Sequence, residues 1–273
     1  MPDLYLSWQL DPVLIGGLLT LTVSYTLAVG PLRPRLAPKI PFPRRQALLF
    51  YSGIALMYLV EGSPLHDLAE RYLFSAHMVQ HLLINYLVAT LLLWGMPTWI
   101  LRPLLLNAVV APVARLLTKP LVALLVFNIL FSLWHLPAIY DGALRSSALH
   151  HFEHLLFLLT SAIFWWPLMS PLPELPRPAP LVQLLYLFVT PILQLPLFAI
   201  VTFANRSLYE TYSAAPQLWL SAVSDQALGG ALMKVLSLFS YGIPFILIFF
   251  RWYRRESRNR HLPVHLPPQP GRS

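Results

Sequence analysis

The sequence SAHMVQH at residues 75–81 opens an apolar run, LLINYLVATLLLWG, that extends through residues 82–95. At helical pitch, side chains four positions apart lie on the same face, about one turn apart along the axis. His77 and His81 therefore point in the same direction at the mouth of a segment long enough to cross a bilayer. We interpret them as candidate ligands of one site, although the pair by itself is more typical of interfacial histidines that contact headgroups and water.

The composition places the chain among membrane proteins. Of its 273 residues, 57% are hydrophobic and 11% are charged, and the mean hydropathy is +0.62. This leaves too little polar surface to cover a soluble protein of that size. The chain has no cysteine, which excludes disulfides and thiolate metal sites. Any metal must therefore be held by nitrogen, oxygen or thioether ligands.

Apolar runs predict an all-α fold, a polytopic membrane bundle of seven transmembrane helices. A helix needs about 20 mostly apolar residues to cross the hydrocarbon core, and seven segments approach that length. The predicted spans are 12–31, 46–62, 74–95, 119–137, 150–168, 181–203 and 226–250. We assign residues 1–255 to this transmembrane domain. We expect residues 256–273, which are rich in Pro and Arg, to form a disordered cytoplasmic tail.

The basic residues are distributed unequally between the two sides of this bundle. Of the 19 Lys and Arg, fifteen follow spans one, three and five or lie in the C-terminal tail, three lie on the opposite side, and Lys234 lies within span seven. Positive charge is enriched in cytoplasmic loops, so we expect the N-terminus outside and the C-terminus in the cytoplasm. A basic rim facing anionic membrane lipids accounts for the net charge of +8, and no nucleic acid partner is inferred.

This topology places seven of the nine histidines in the outer half of the protein. Six of them begin or end spans and are the candidate metal ligands: His77, His81, His135, His150, His151 and His154. Imidazole suits zinc, copper, iron or nickel. His150 and His154 repeat the i, i+4 spacing of the first pair. The sequence therefore predicts a metal site between facing helices, with the choice between His150 and His151 left open.

Other residues near these span ends are candidates for supporting roles. Met78 and Met233 are thioether candidates, because methionine sulfur favours copper(I), although both also fit core packing. Glu153 and Asp225 are candidates for supporting the ligands, and Asp225 equally fits a cap at a helix N-terminus. Lys234 lies inside an apolar span, where an ammonium must pair or reach water. We expect Asp225 or Glu153 to neutralise it.

The pattern His150-x-x-Glu153-His154 also matches the H-x-x-E-H motif of inverted zinc peptidases, in which the glutamate acts as the base. Five residues are a weak match, since a peptidase also needs a third ligand and a substrate cleft. We keep metallopeptidase activity as a minor alternative and predict that the protein is not an enzyme.

Four short blocks carry a resemblance to a known family. They are HMVQHLL at 77–83, WHLPAIY at 134–140, the segment 151–167 with its ending FWWP, and DQALGG at 225–230. Together they resemble the CtaG-type assembly factors of caa-type cytochrome c oxidase, in that family's order. The resemblance implies a multi-pass protein of the bacterial plasma membrane that is needed for maturation of the oxidase, with oxidase subunits as partners and copper as the metal delivered.

The preferred interpretation is therefore a cytochrome c oxidase assembly factor that binds copper transiently at its outer histidines. Two alternatives from other classes stay open. Facing histidines on two helices ligate haem in bis-His haem proteins. Prolines within spans, here Pro191, Pro196 and Pro244, occur in transporters with broken helices. A Soret band distinguishes haem from copper(I), and uptake by proteoliposomes tests transport.

Overall fold

The computed structural model describes residues 6–260, which contain helices and no strands. A π-helical segment, Leu83–Val88, joins α5 to α6. The helices are α1 (Pro12–Val29), α2 (Arg33–Leu36), α3 (Arg44–Gly62), α4 (Pro64–Arg71), α5 (Phe74–Leu82), α6 (Ala89–Gly95), α7 (Thr98–Leu105), α8 (Ala111–Leu117), α9 (Pro120–Trp134), α10 (Pro137–Leu144), α11 (Ser147–Met169), α12 (Pro180–Phe203), α13 (Glu210–Ala214) and α14 (Ala222–Arg260).

Five helical segments are long and apolar enough to cross a membrane, which confirms the predicted all-α membrane fold. They are α1, the continuous unit from α5 to α6, α11, α12 and α14. Two bent pairs also qualify if each counts as one span: α3 with α4, bent by 48°, and α8 with α9, bent by 79°. The described residues thus contain up to seven spans, and the count of seven requires both bent pairs.

Helix α5, which carries His77 and His81, is anchored against α14. The Asp225 carboxylate accepts hydrogen bonds from the backbone N–H of Ser75, at 3.3 Å, and from the Ser75 hydroxyl. One turn further along α14, Gly229 allows close approach of Phe74, because a Cβ at Gly229 would lie 2.5 Å from Phe74 Cδ1. These two contacts fix the depth and the rotation of α5 against α14.

The π-helical segment interrupts what the sequence predicts as one regular span. A π turn rearranges backbone hydrogen bonding, and the Asn85 carbonyl oxygen accepts a hydrogen bond of 2.9 Å from the indole N–H of Trp165. The Asn85 side-chain oxygen accepts a second one, of 2.8 Å, from the Ser161 hydroxyl. Both partners lie on α11, so Asn85 ties the helix of the first histidine pair to the helix of the second.

The C-terminal boundary differs from the predicted one. Residues 256–260 continue α14 as helix, whereas we expected the disordered tail to begin at residue 256. A helix that is already formed adds further residues without a new nucleation cost, and Arg is a good helix former. The rest of the predicted tail, including His261 and His265, lies outside the described residues.

The expected neutralisation of Lys234 is also not found. Asp225 is bonded to Ser75, and Glu153 lies beside His81, so within the described part of the chain neither acid pairs with the lysine. Lys234 is half-buried and lines a cleft of about 300 Å³ together with residues of α12 such as Pro191. The aliphatic stem of a half-buried lysine packs favourably on such an apolar lining.

Reporter fusions test the orientation that the basic residues predict. A fusion after Trp252 should report the cytoplasm, and a fusion within residues 207–218 should report the outside, because the basic residues of the tail are retained on the inner side. Alkaline phosphatase and fluorescent protein fusions at both points give opposite signals. A cytoplasmic signal from residues 207–218 contradicts the predicted orientation.

Candidate metal centre

Helices α5 and α11 bring four predicted residues together in what we call the inner cluster: His77, His150, Glu153 and His154. Each residue offers one ligand atom, and these four atoms all lie within 4.8 Å of one another. All four side chains are buried, with at most 5% of the residue surface exposed. Three imidazoles and a carboxylate at this separation can surround a single transition-metal ion.

His81 lies against this cluster, as the i, i+4 spacing predicts. Its Nε2 atom is 2.7 Å from Nε2 of His77 and 3.2 Å from Nε2 of His154. The same atom lies 3.8 Å from the Glu153 carboxylate. Nitrogen atoms from both helices thus converge on one point in the interior.

The histidines around this point share one arrangement of their ring nitrogens. In four of them Nδ1 contacts an oxygen: His77 with Tyr212 Oη at 3.2 Å, His135 with the Phe131 carbonyl at 2.6 Å, His150 with the Glu70 carboxylate, and His154 with Glu61 Oε2 at 2.6 Å. We assign the ring proton to Nδ1 of His135, His150 and His154, since carbonyl and carboxylate oxygens only accept. The lone pair is then on Nε2, where a metal binds, and such second partners orient metal-binding histidines.

Tyr212 completes this assignment for His77. Its hydroxyl donates to the Ala69 carbonyl at 2.7 Å, which leaves the phenol oxygen to accept from Nδ1 of His77. Tyr212 lies on α13, in the connection between α12 and α14, and it is buried. A loop residue far along the chain therefore sets the tautomer of the first histidine.

Several buried polar atoms of this region have no hydrogen-bond partner among the described residues. They are His81 Nδ1, His135 Nε2, His150 Nε2, Glu61 Oε1 and Glu153 Oε1. Each unsatisfied buried polar group costs about 1–3 kcal/mol. In the assigned tautomers the nitrogens of His135 and His150 and both carboxylate oxygens present lone pairs, so a bound cation is the kind of group that satisfies them.

The structure places the remaining predicted histidines differently. The His135 ring lies beside His81, with centroids 6.2 Å apart, but it is outside the four-residue group. His151 points away from the cluster, because its Nε2 lies 3.2 Å from Asp11 and its Nδ1 lies 3.3 Å from the Ser147 hydroxyl. Between the adjacent histidines, it is His150 that faces the inner cluster.

The two methionines and Asp225 make contacts with other parts of the protein. Met78 is buried and packs against α14, since a Cβ built at Gly229 would lie 3.3 Å from Met78 Cγ. Met233 belongs to the same hydrophobic core. Asp225 anchors Ser75. Their observed contacts are packing and capping contacts, whereas Glu153 is the supporting candidate that joins the cluster.

Sequence reasoning missed Glu61, Glu70, His66 and Tyr212 as parts of this region. Glu61 carried a usable signal, because an acid at the end of an apolar membrane helix is costly unless it has a function or a partner. It is only 6% exposed. Tyr212 carried no local signal, since only the path of the connection between α12 and α14 brings it to α5.

Comparison with known proteins agrees with this architecture. A family model described as cytochrome c oxidase caa3 assembly factor matches residues 23–255. Uncharacterized proteins of Mycobacterium bovis and Mycobacterium tuberculosis are each 23% identical over 270 residues. A Mycobacterium leprae protein, also uncharacterized, is 24% identical over 269 residues. In each case the match covers 92% of this chain.

These curated relatives are longer proteins, since the chain spans 40% of their length. No solved structure matches the chain significantly. The family model, in contrast, extends from within α1 to the end region of α14 and includes every residue of the inner cluster. Because it covers most of the chain, the protein belongs to the cytochrome c oxidase caa3 assembly factor family.

Proposed function

We propose that the inner cluster binds copper as cargo and that the protein passes this copper to a subunit of the oxidase during its assembly. The observation that carries the proposal is the arrangement shared by His77, His135, His150 and His154, whose Nδ1 atoms are held by protein oxygens. Four preoriented imidazoles in a buried site are a costly arrangement for packing alone.

The ligand chemistry favours copper among the metals that imidazole binds. Nitrogen and oxygen sites bind Cu²⁺ more tightly than the other divalent first-row ions. The chain contains no thiolate that would favour a closed structural zinc site. Glu61 and Glu153 lie beside the imidazoles, and their carboxylates balance the charge of a cation in a low-dielectric interior.

The number of donors suits transient binding. His81 and His135 lie next to the inner cluster, so there are more nitrogen donors than a copper ion coordinates at one time. An ion among surplus imidazoles can exchange ligands one by one, without passing through a bare state that costs several kcal/mol in desolvation. Such a site holds a cargo ion and still releases it.

Copper content of the purified protein tests this proposal. The full chain, loaded with copper(I) under anaerobic conditions and desalted, should retain copper, and His154→Ala should lower retention at least about tenfold, since loss of metal-site partners typically costs 10–100-fold in affinity. His151→Ala is the matched control, because it removes an imidazole from the adjacent position that contacts Asp11 instead. Oxidase activity of the host cells should fall with the first variant only.

Equal copper retention in the parent and in the His154→Ala protein contradicts the proposal. Gel filtration of each variant confirms that the protein compared is folded. The same samples address the haem alternative, because bis-His haem gives a Soret band and copper(I) does not. A Soret band that disappears in the His154→Ala protein supports haem binding and overturns the copper assignment.

A further inference from the structure

A second group of potential ligands adjoins the inner cluster. His66 and Glu70 from α4 and His150 from α11 each offer an atom within 4.8 Å of the others. One oxygen of Glu70 lies 3.1 Å from Nε2 of His66 and also contacts Nδ1 of His150. The side chains of His66 and Glu70 are 19% and 26% exposed, so this group is more accessible than the inner cluster.

A polar cavity of about 230 Å³ opens onto this group. Its lining includes Glu61, His66, Glu70 and His150. Since a water molecule occupies roughly 30 Å³ of liquid volume, the cavity has room for a cation that keeps part of its hydration shell. Three carboxylates, those of Asp11, Glu61 and Glu70, line this concave, partly enclosed space. They raise the local concentration of cations and their rate of binding.

His150 belongs to both groups. Its ring centroid is 5.7 Å from that of His66 and 4.1 Å from that of His154. Its Nδ1 contacts Glu70, whereas its Nε2 is buried and has no hydrogen-bond partner among the described residues. One imidazole thus links the polar cavity to the buried cluster.

We infer that His66, Glu70 and His150 form an outer cation site, which receives the copper ion from the cavity and hands it to the inner cluster through His150. This inference rests on the proposed function. Because His150 is shared, one ion occupies either the outer or the inner position. The transfer is a ligand exchange: bonds from the metal to His66, Glu70 and Nδ1 of His150 break while bonds to His77, His154 and Nε2 of His150 form.

The exchange needs no change in oxidation state and no net release of protons from His150. With the ion in the outer position, Nδ1 of His150 binds the metal and the ring proton is on Nε2. With the ion in the inner position, Nε2 binds the metal and the proton is on Nδ1, where Glu70 accepts it. The ring proton thus changes nitrogen while the charge of His150 stays the same.

The rate of copper loading shows whether the outer group is an entry site or a part of the final binding site. The purified full chain is mixed with copper(I), and copper that survives a chelator wash is measured over time. Glu70→Gln and His66→Gln should each slow loading about tenfold, which is the low end of the effect that a charged, concave site has on association rates. The final retained copper should equal that of the parent in His66→Gln protein, whereas Glu70→Gln is judged by its loading rate alone, because Glu70 also holds Nδ1 of His150. Glu210→Gln is the matched control, because it removes an exposed carboxylate that pairs with Arg145.

A second measurement isolates the outer site. In His77→Gln protein the inner cluster is impaired, and added copper(II) should give an electron paramagnetic resonance signal with nitrogen hyperfine structure from His66 and His150. The double variant His77→Gln/Glu70→Gln should lose that signal. This readout does not depend on retention by the inner cluster or on oxidase activity.

The outcomes distinguish the two proposals. Parent-like loading rates in both outer variants, with the copper(II) signal unchanged by Glu70→Gln, overturn the outer site and leave the inner one standing. Final retention that falls in His66→Gln protein as far as in His77→Gln protein shows one merged site and also overturns the inference. If the parent chain retains no copper, the proposed function itself fails.

Discussion

Replacement of His77 with alanine is expected to remove most of the copper that the purified protein retains, and His81→Ala should do the same. The Nε2 atoms of the two residues are 2.7 Å apart, so both rings face the same point. Loss of either should lower retention at least about tenfold. The double variant should be little worse than either single one, because ligands of one site act as a unit and their effects are not additive.

Mass spectrometry of copper per protein across the parent, the two single variants and the double variant measures this coupling. His151→Ala again serves as the control that should retain copper at the parent level. If His77 and His81 are only interfacial residues, the two changes instead produce small, additive effects on expression and leave copper content unaffected. That additive pattern contradicts a shared site.

The largest expected effect on stability comes from Gly95→Ala. Gly95 ends α6 where that helix crosses α3, and a Cβ there would lie 2.5 Å from the backbone nitrogen and 2.7 Å from the Cα of Phe50. Backbone atoms cannot rotate away as a side chain does, so the two helices must separate. The Tyr25 hydroxyl also donates to the Gly95 carbonyl at 2.9 Å, and separation strains this contact. We expect a loss of about 1–3 kcal/mol in the free energy of unfolding.

Thermal unfolding in detergent measures this effect, with Gly17→Ala as the matched control. Nothing lies within 4 Å of a Cβ at Gly17, and alanine is favoured over glycine inside a helix by roughly 0.5–1 kcal/mol. The Gly95 variant should therefore melt below the parent and the Gly17 variant at or above it. Equal melting temperatures for the two variants contradict the close crossing of α3 and α6.

Local sequence information was sufficient for the helices and for the spacing of the histidines along them. Apolar run length identified α1, α11, α12 and α14, because a bilayer demands a minimum length of apolar helix. The i, i+4 spacing identified two pairs, His77 with His81 and His150 with His154, because helical pitch fixes the angle between residues on the same helix. The order of the motif blocks also led to the family that the family model supports.

The choice between His150 and His151 depended on the tertiary structure. The sequence gives the angle of about 100° between adjacent side chains but not the rotation of α11 about its own axis. That rotation follows from long-range contacts such as the hydrogen bonds of Ser161 and Trp165 to Asn85. These contacts turn His150 towards the cluster and leave His151 beside Asp11.

The partners of the histidines were likewise decided only by tertiary structure. Glu61, Glu70 and Tyr212 reach the cluster from α3, α4 and α13, which are separated from α11 by many residues. For the same reason Lys234 lacks the acid partner that the sequence led us to expect, since Asp225 is committed to Ser75 across the α5–α14 contact. Residue type and spacing determine which groups a helix offers. The packing of helices distant in sequence determines which of those groups meet, because that geometry depends on the summed contacts of whole helix faces.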